Sequence, residues 1–213
     1  MRQTEGYSIL SGLLSSLRQP STSGSATGDG THYLFKSSLA GGAKQLTLTD
    51  AGLNVQATKV ALWPLDTIAA IRLSYRPASM QAWRFRADIA TQSGQGIAVY
   101  STTWHSISQM ARQDDGYRAF IVELHRRLAQ IDSRARLIAG INPVLYMAGL
   151  VVMALIGISI VGLFVRALIT AEFAGALFLA GFGGWFIWQI GGFMRRNRPR
   201  SYTFDALPQD VLP

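Results

Sequence analysis

"LIAGINPVLYMAGLVVMALIGISIVGLFV", Leu137 to Val165, runs for 29 residues without a charged side chain. An α-helix rises about 1.5 Å per residue and the hydrocarbon core of a bilayer is about 30 Å thick, so roughly 20 apolar residues suffice to cross it. A second uncharged run, Phe173 to Met194, has 22 residues, and only the seven residues Arg166 to Glu172 separate the two. Two such helices must return antiparallel, which predicts a transmembrane hairpin over residues 137–194. The competing reading is a helical hairpin buried in a soluble core, but core helices seldom lack charge over this length. Pro143 suits the first position of the spanning helix, because proline disfavours a helical conformation at its predecessor and has no N–H to satisfy.

The charge of the chain is placed around these runs. Its 213 residues are 49% hydrophobic and yet carry a formal charge of +8. Arg118, Arg126, Arg127, Arg134 and Arg136 precede the first run, and Arg195, Arg196, Arg198 and Arg200 follow the second, whereas the connecting loop holds Arg166 offset by Glu172. Cytoplasmic flanks collect Lys and Arg, so both termini are expected in the cytoplasm of a two-pass protein. "IWQIGGFMRRNRPR", Ile187 to Arg200, then reads as a topology anchor that meets anionic head groups. Arg134, Arg136, Arg195, Arg196, Arg198 and Arg200 are the expected anchors at the membrane surface. Trp185 and Trp188 suit either an interfacial belt or packing against the first helix. The start of the chain lacks the pattern of a secretory signal.

Residues 1–30 divide into an apolar helical face, Ile9, Leu10, Leu13, Leu14 and Leu17, and a Ser/Gly/Thr-rich linker, "QPSTSGSATGDG". From 31 to 136 the patterns are those of a folded domain. "THYLFKSS", "KQLTLTD", "GLNVQAT", "TIAAIRLSYR", "AWRFRADIAT" and "GIAVYSTT" alternate in hydropathy between Gly- and Pro-bearing turns, which predicts six or seven strands. Tyr117, Phe120, Ile121, Leu124, Leu128 and Ile131 then recur at helical spacing, with Asp114 or Asp115 as the expected N-cap. The last segment, 195–213, reads as a basic cytoplasmic tail.

Antiparallel strands closed by one amphipathic helix give the order of elements in pleckstrin-homology-like domains. Through "WPLDTIAAIRLSYRP", "WRFRADIATQSGQGIAVYSTTW", "YRAFIVELHRRL" and "NRPRSYTFDALPQDVLP", the chain resembles bacterial inner-membrane proteins that join a PH-like domain to two transmembrane helices. The resemblance implies a membrane α+β protein, with a PH-like antiparallel barrel or sandwich on the cytoplasmic side and a C-terminal helix closing it. It implies no single activity. It also suggests Lys36 and Lys44, which flank the loop "SSLAGGA", as head-group contacts, although two lysines are fewer than an inositide site normally shows.

Catalytic signatures are missing from the sequence. Without cysteine there is no thiolate nucleophile or Cys-ligated metal, and His32, His105 and His125 have no partner at metal-ligand spacing. No phosphate-binding loop, G-x-S-x-G or H-E-x-x-H occurs. We therefore expect no catalytic residue, cofactor or metal. Strand alternation places Ile71, Leu73 and Tyr75 with Trp83, Phe85, Ala87 and Ile89, and turns Arg72, Arg76, Arg84 and Arg86 to the other face beside Asp88. That face is either an anion-binding patch for lipid or an acidic partner, or a solvated face with its arginines splayed into water. Nucleic acid is not expected, because the charge gathers at the membrane flanks. In the hairpin, Gly149 and Gly157 on the first helix and Ala176, Ala180 and Gly184 on the second are the candidate close contacts, within the hairpin or with another membrane subunit or a second copy. The expected function is binding: an adaptor presenting its domain at the inner membrane, or an accessory subunit of a larger complex held through the hairpin.

Overall fold

The computed structural model describes residues 30–79, 81–106 and 109–213. The expected amphipathic segment and linker, up to residue 29, lie outside the described residues. Four short strands, β1 (His32–Lys36), β2 (Ala43–Thr49), β3 (Gly52–Gln56) and β4 (Val60–Trp63), form an antiparallel meander. Alternate residues point to opposite faces of a strand, so Tyr33, Phe35, Leu46, Leu48, Leu53, Val55 and Trp63 are all buried on one side. The turn into β3 requires glycine: Gly52 has φ +138°, and a Cβ there would lie 2.3 Å from the Trp63 carbonyl oxygen.

A second sheet holds β5 (Ile68–Tyr75), β6 (Phe85–Thr91) and β7 (Gly96–Tyr100) in antiparallel order. Its inner face supplies Ile71, Leu73, Phe85, Ala87, Ile89, Ile97 and Val99 to the same core. The hairpin of β8 (Thr102–Ser106) and β9 (Gln109–Arg112) follows, and the Lys36 N–H donates to Thr103 Oγ1 at 2.9 Å, tying β8 to β1. Helix α1 (Asp114–Gln130) covers the core with Tyr117, Phe120, Ile121, Leu124 and Leu128; Phe120 stacks on Tyr33 at 5.8 Å between centroids. Asp114 is the first helical residue rather than the cap, which is Gln113 without a side-chain bond. The Asp114 carboxylate accepts from Arg112 Nε at 2.7 Å, and negative charge in a first helical turn is favoured by the helix dipole. Ile131 lies beyond the helix and is exposed.

The uncharged run opens with a strand. β10 (Arg136–Ala139) runs parallel to β5, pairing Leu137 with Ile71 and Ala139 with Leu73. Leu137 and Ala139 are buried, so these residues are uncharged because they fill the domain core. Helix α2 (Pro143–Ile169) begins after Asn142, whose side chain accepts from the Val144 N–H at 2.9 Å with Pro143 in the first turn. Helix α3 (Phe173–Arg196) returns antiparallel, and β11 (Arg200–Ser201) pairs with β10. The tail expected over 195–213 likewise belongs to the domain: Val211 and Leu212, in and after a 3-10 turn (Gln209–Val211), are buried in its core. The fold is α+β, with antiparallel pairing throughout except between β5 and β10.

Helices α2 and α3 are long and apolar enough to cross a membrane, with 27 and 24 residues and best-window mean hydropathies of 2.7 and 1.5. None of that window is buried in α2 and 11% is buried in α3, which is not how a core helix of a soluble protein is placed. Among the less exposed residues of α2 a line runs through Tyr146, Gly149, Met153, Gly157, Ile160, Phe164 and Ala167 in steps of three and four, and a like line runs through Ala176, Leu179, Gly183, Phe186, Ile190 and Met194 of α3. This is the seven-residue repeat of left-handed helix packing.

Candidate functional site at the junction of sheet and hairpin

The apolar hairpin is inserted between two strands that pair with each other, β10 and β11. At the exit of β10, Gly140 has φ +87° and its N–H donates to the Leu73 carbonyl at 2.7 Å; a Cβ would meet the Asn197 and Arg198 carbonyl oxygens at 2.4 and 2.5 Å. Only glycine allows the two crossing chains to come this close. The next N–H, of Ile141, donates to the Asn197 carbonyl at 3.1 Å. Asn197 itself is fully buried. Its Oδ1 accepts from the Tyr75 N–H and its Nδ2 donates to the Tyr75 carbonyl, both at 3.0 Å, so the side-chain amide imitates a neighbouring strand. Nδ2 also reaches the Phe193 carbonyl at 3.3 Å, which joins the end of α3 to the end of β5.

An aromatic group surrounds this joint. Tyr75 lies 5.5 Å from Phe85, 6.3 Å from Trp83 and 6.4 Å from Phe193, and its hydroxyl donates to the Ala82 carbonyl at 2.6 Å. The Arg196 guanidinium sits over both Trp83 and Tyr75, at 4.6 and 5.1 Å from the ring centroids. Attraction between a cation and the negative ring face holds that side chain in place. Beside it opens a cleft of about 290 Å³, lined by Trp83, Phe85, Arg195, Arg196, Gln209, Asp210 and Leu212. Arg118 clamps the far wall, donating to the Pro213 carbonyl at 2.6 Å and to Gln209 Oε1 at 2.7 Å. Arg200 pairs with Asp210 and neutralises the one acid in the lining. Arg195 and Arg196 have no ion-pair partner among the described residues.

The expected basic face is assembled only in part. β5 and β6 pair so that Arg72 faces Asp88 and Ser74 faces Arg86, and the Arg76 N–H donates to the Arg84 carbonyl at 2.8 Å. Two of the four arginines are already engaged. Arg86 donates to Asp88 at 2.8 Å through Nε, and this carboxylate outweighs burial and strengthens its hold on the proton. Arg84 stacks on the Tyr100 ring at 4.0 Å and donates to Thr102 Oγ1 at 3.2 Å, while burial weakens its hold. Arg76 Nε is buried without a partner among the described residues. Lys36 and Lys44 do not converge: Lys44 is opposite Phe35, on the core-facing side, and Lys36 is opposite Ala43 on the other.

The expected surface anchors also separate. Arg195 and Arg198 are exposed at the end of α3 and just beyond it, whereas Arg134 and Arg136 lie before and at the start of β10. Arg136 opens β10, so the whole strand and the three residues after it separate this side chain from the start of α2. Of the small residues, Gly149 meets Met194 and Ala176 is buried, while Ala180 and Gly184 are exposed and open space surrounds a Cβ at Gly157. Residues four apart drift about 40° around a helix at each step, so the line Ala176, Ala180, Gly184 leaves the seam that Gly183 continues. Gly183 comes close enough that a Cβ would lie 3.2 Å from Ile160 Cγ2.

Sequence reasoning missed a second joint. His125, buried on α1, donates through Nδ1 to the Ile121 carbonyl at 2.7 Å, which leaves Nε2 to accept from the Tyr202 hydroxyl at 2.8 Å. Burial pushes the His125 pKa down and the Tyr202 pKa up, so both stay neutral. A side chain seen only as part of "VELHRRL" thus holds the returning tail. Among the described residues no three His, Cys, Asp or Glu side chains gather as a metal site. Comparison with protein-family models, curated proteins and solved structures found no match to this chain.

Proposed function

We propose that the chain is a non-catalytic binding protein of the bacterial inner membrane, two-pass with both termini cytoplasmic, whose PH-like domain is a platform fixed to the cytoplasmic leaflet. The carrying observation is the insertion of the hairpin between the paired strands β10 and β11, with Asn197 bonded to Tyr75. A tethered adaptor would hang from a linker; here three residues join β10 to α2 and three join α3 to β11, so the domain has one orientation toward the surface. The four-stranded meander, the antiparallel β5–β7 and the closing α1 support the PH-like reading. The arginine count of nine against one supports the cytoplasmic side. The reading as an accessory subunit is favoured by one feature: Gly181 and Gly184 are exposed on α3 with open space around a Cβ, as a close helix from another subunit requires.

Two measurements test this. A reporter active only in the cytoplasm should work at either terminus and be silent between Ala167 and Ala171; activity in the loop alone overturns the orientation. Purification in mild detergent then separates the two roles, since a stoichiometric co-migrating membrane protein selects the subunit and its absence selects the free-standing platform.

A further inference from the structure

We propose that the cleft between the end of α3 and the C-terminal turn binds the phosphate of one anionic phospholipid from the leaflet that the hairpin enters. Four observations converge. The cleft stands at the level where the apolar helix ends, with Trp188 about two turns and Trp185 about three turns back along α3 and Arg195 and Arg196 in its wall. Its charge is positive: two unpaired arginines face one carboxylate that Arg200 already neutralises. Arg196 is held in place by Trp83 and Tyr75, so little side-chain freedom remains to be lost when an anion arrives. Trp83, Phe85 and Leu212 line the cleft with apolar surface, against which the glycerol carbons of a lipid can rest. At about 290 Å³ it is at the small end of ligand pockets, the size of a head group and not of a whole lipid.

The basic side chains divide the work. Arg196, half-buried against its two rings, presents a fixed guanidinium edge. Arg195, exposed and unpaired, closes over the phosphate from the adjoining position on the helix. Planar guanidinium groups pair with phosphate oxygens through parallel N–H bonds, which gives selectivity for phosphate and not only attraction to negative charge. Zwitterionic lipids carry the same phosphate beside a cation, and the arginines repel that cation. Anionic head groups are therefore preferred.

The proposal rests on the two-pass reading, which the reporter decides separately. The full chain in mild non-ionic detergent is titrated with short-chain phosphatidylglycerol, and lipid-bound protein is counted by native mass spectrometry. Phosphatidylcholine serves as the zwitterionic comparison and inorganic phosphate as competitor. The wild type should take up one phosphatidylglycerol in preference to phosphatidylcholine. Arg195→Gln should weaken that uptake about fivefold and Arg195→Glu more, as expected when a basic group near a phosphate is removed or reversed. Lys59→Glu, at an exposed position in the turn between β3 and β4 and outside the cleft, changes the net charge as Arg195→Glu does and should leave uptake within about twofold. Because Arg195 is exposed, these variants keep the core intact. Equal losses in Arg195→Glu and Lys59→Glu would reduce the effect to diffuse attraction and overturn the site. Failure to prefer phosphatidylglycerol overturns it too, and displacement of the lipid by millimolar inorganic phosphate would assign the cleft to the free ion.

Discussion

Leu46 and Leu177 are the same residue with opposite placements. Leu46, on β2, is 0% exposed; Leu177, on α3, is 76% exposed. The contrast holds across the two halves of the molecule, for Phe120, Leu124 and Ile71 are wholly buried in the domain while Val144, Phe178 and Trp188 stand free on the hairpin. The longer strands of the domain alternate because one face meets water and the other the core. The helices of the hairpin are apolar all round because neither face is built for water. The hydrophobic effect thus shapes the two regions through different surroundings: the domain through what it hides from water, the hairpin, on the proposed two-pass reading, through what lipid hides for it.

The largest expected effect lies in substitutions that separate the two. Phe120→Ala should destabilise the domain by about 3–5 kcal/mol, since it removes a buried ring and leaves a cavity. Leu177→Ala, on a side chain that touches little protein, should change stability by less than about 0.5 kcal/mol. Chemical denaturation of the full chain in detergent, followed by near-ultraviolet circular dichroism, measures both. A comparable loss at Leu177 would mean that α3 is covered by protein, and the contrast would collapse.

The joint between the halves comes next. Asn197→Ala strands the N–H and carbonyl of half-buried Tyr75, each toward the low end of the roughly 1–3 kcal/mol that an unmet buried group costs, and should cost about 2–3 kcal/mol in all. Its signature is local. Exchange of the Tyr75 amide hydrogen should accelerate as strongly as the whole domain loosens, while amides in the middle of α2 should be unmoved. If Tyr75 stays protected, the side-chain amide is not what docks the hairpin onto β5.

How far the sequence shows all this depends on the length of the pattern. The two apolar helices and the apolar face of α1 are legible because many turns repeat one rule. Six of the strands show their alternation, but β4 has only four residues, Val-Ala-Leu-Trp, all apolar, and hides it. β10 is hidden in the uncharged run because a buried strand is as free of charge as the apolar helix that follows it. The tail looked like a loose basic end, since the residues that bury it, Tyr202, Val211 and Leu212, are spread over eleven positions and have no period. Asn197 and His125 have no local signature at all: their partners, Tyr75 and Tyr202, are 122 and 77 residues away. Alternation along β5 and β6 puts Arg72, Arg76, Arg84 and Arg86 on one face, yet Tyr100, which engages Arg84, comes from β7 and lies outside that local pattern.

The smallest effect is one of pH, and it falls wholly on the domain side of the comparison. Buried His125 has its pKa pushed below the ordinary value of 6.5, chiefly by loss of hydration, with the bond to the Ile121 carbonyl offsetting part of the shift. The unfolded chain therefore binds the proton first, at about 6.5 and below, and the folded chain follows only at lower pH. Stability contributed by the neutral ring is complete above 6.5 and is lost progressively as pH falls below it. Glu123 acts in a lower window: hydrogen bonds from Arg126 first, then from Arg127, outweigh burial and hold its carboxyl down at about 2. Its contribution is present above the ordinary value of 4.5 and fades between there and about 2. Tyr202→Phe removes the hydroxyl that His125 Nε2 accepts from and should cost about 1 kcal/mol at neutral pH. Denaturation midpoints measured from pH 7.5 to 5 should show the decline in the wild type, and replacing His125 by Gln, which does not titrate, should flatten it. The hairpin, 143–196, contains no histidine, so its far-ultraviolet signal should hold constant over this range. A decline that persists unchanged in His125→Gln would move the acid sensitivity off the joint between α1 and the tail.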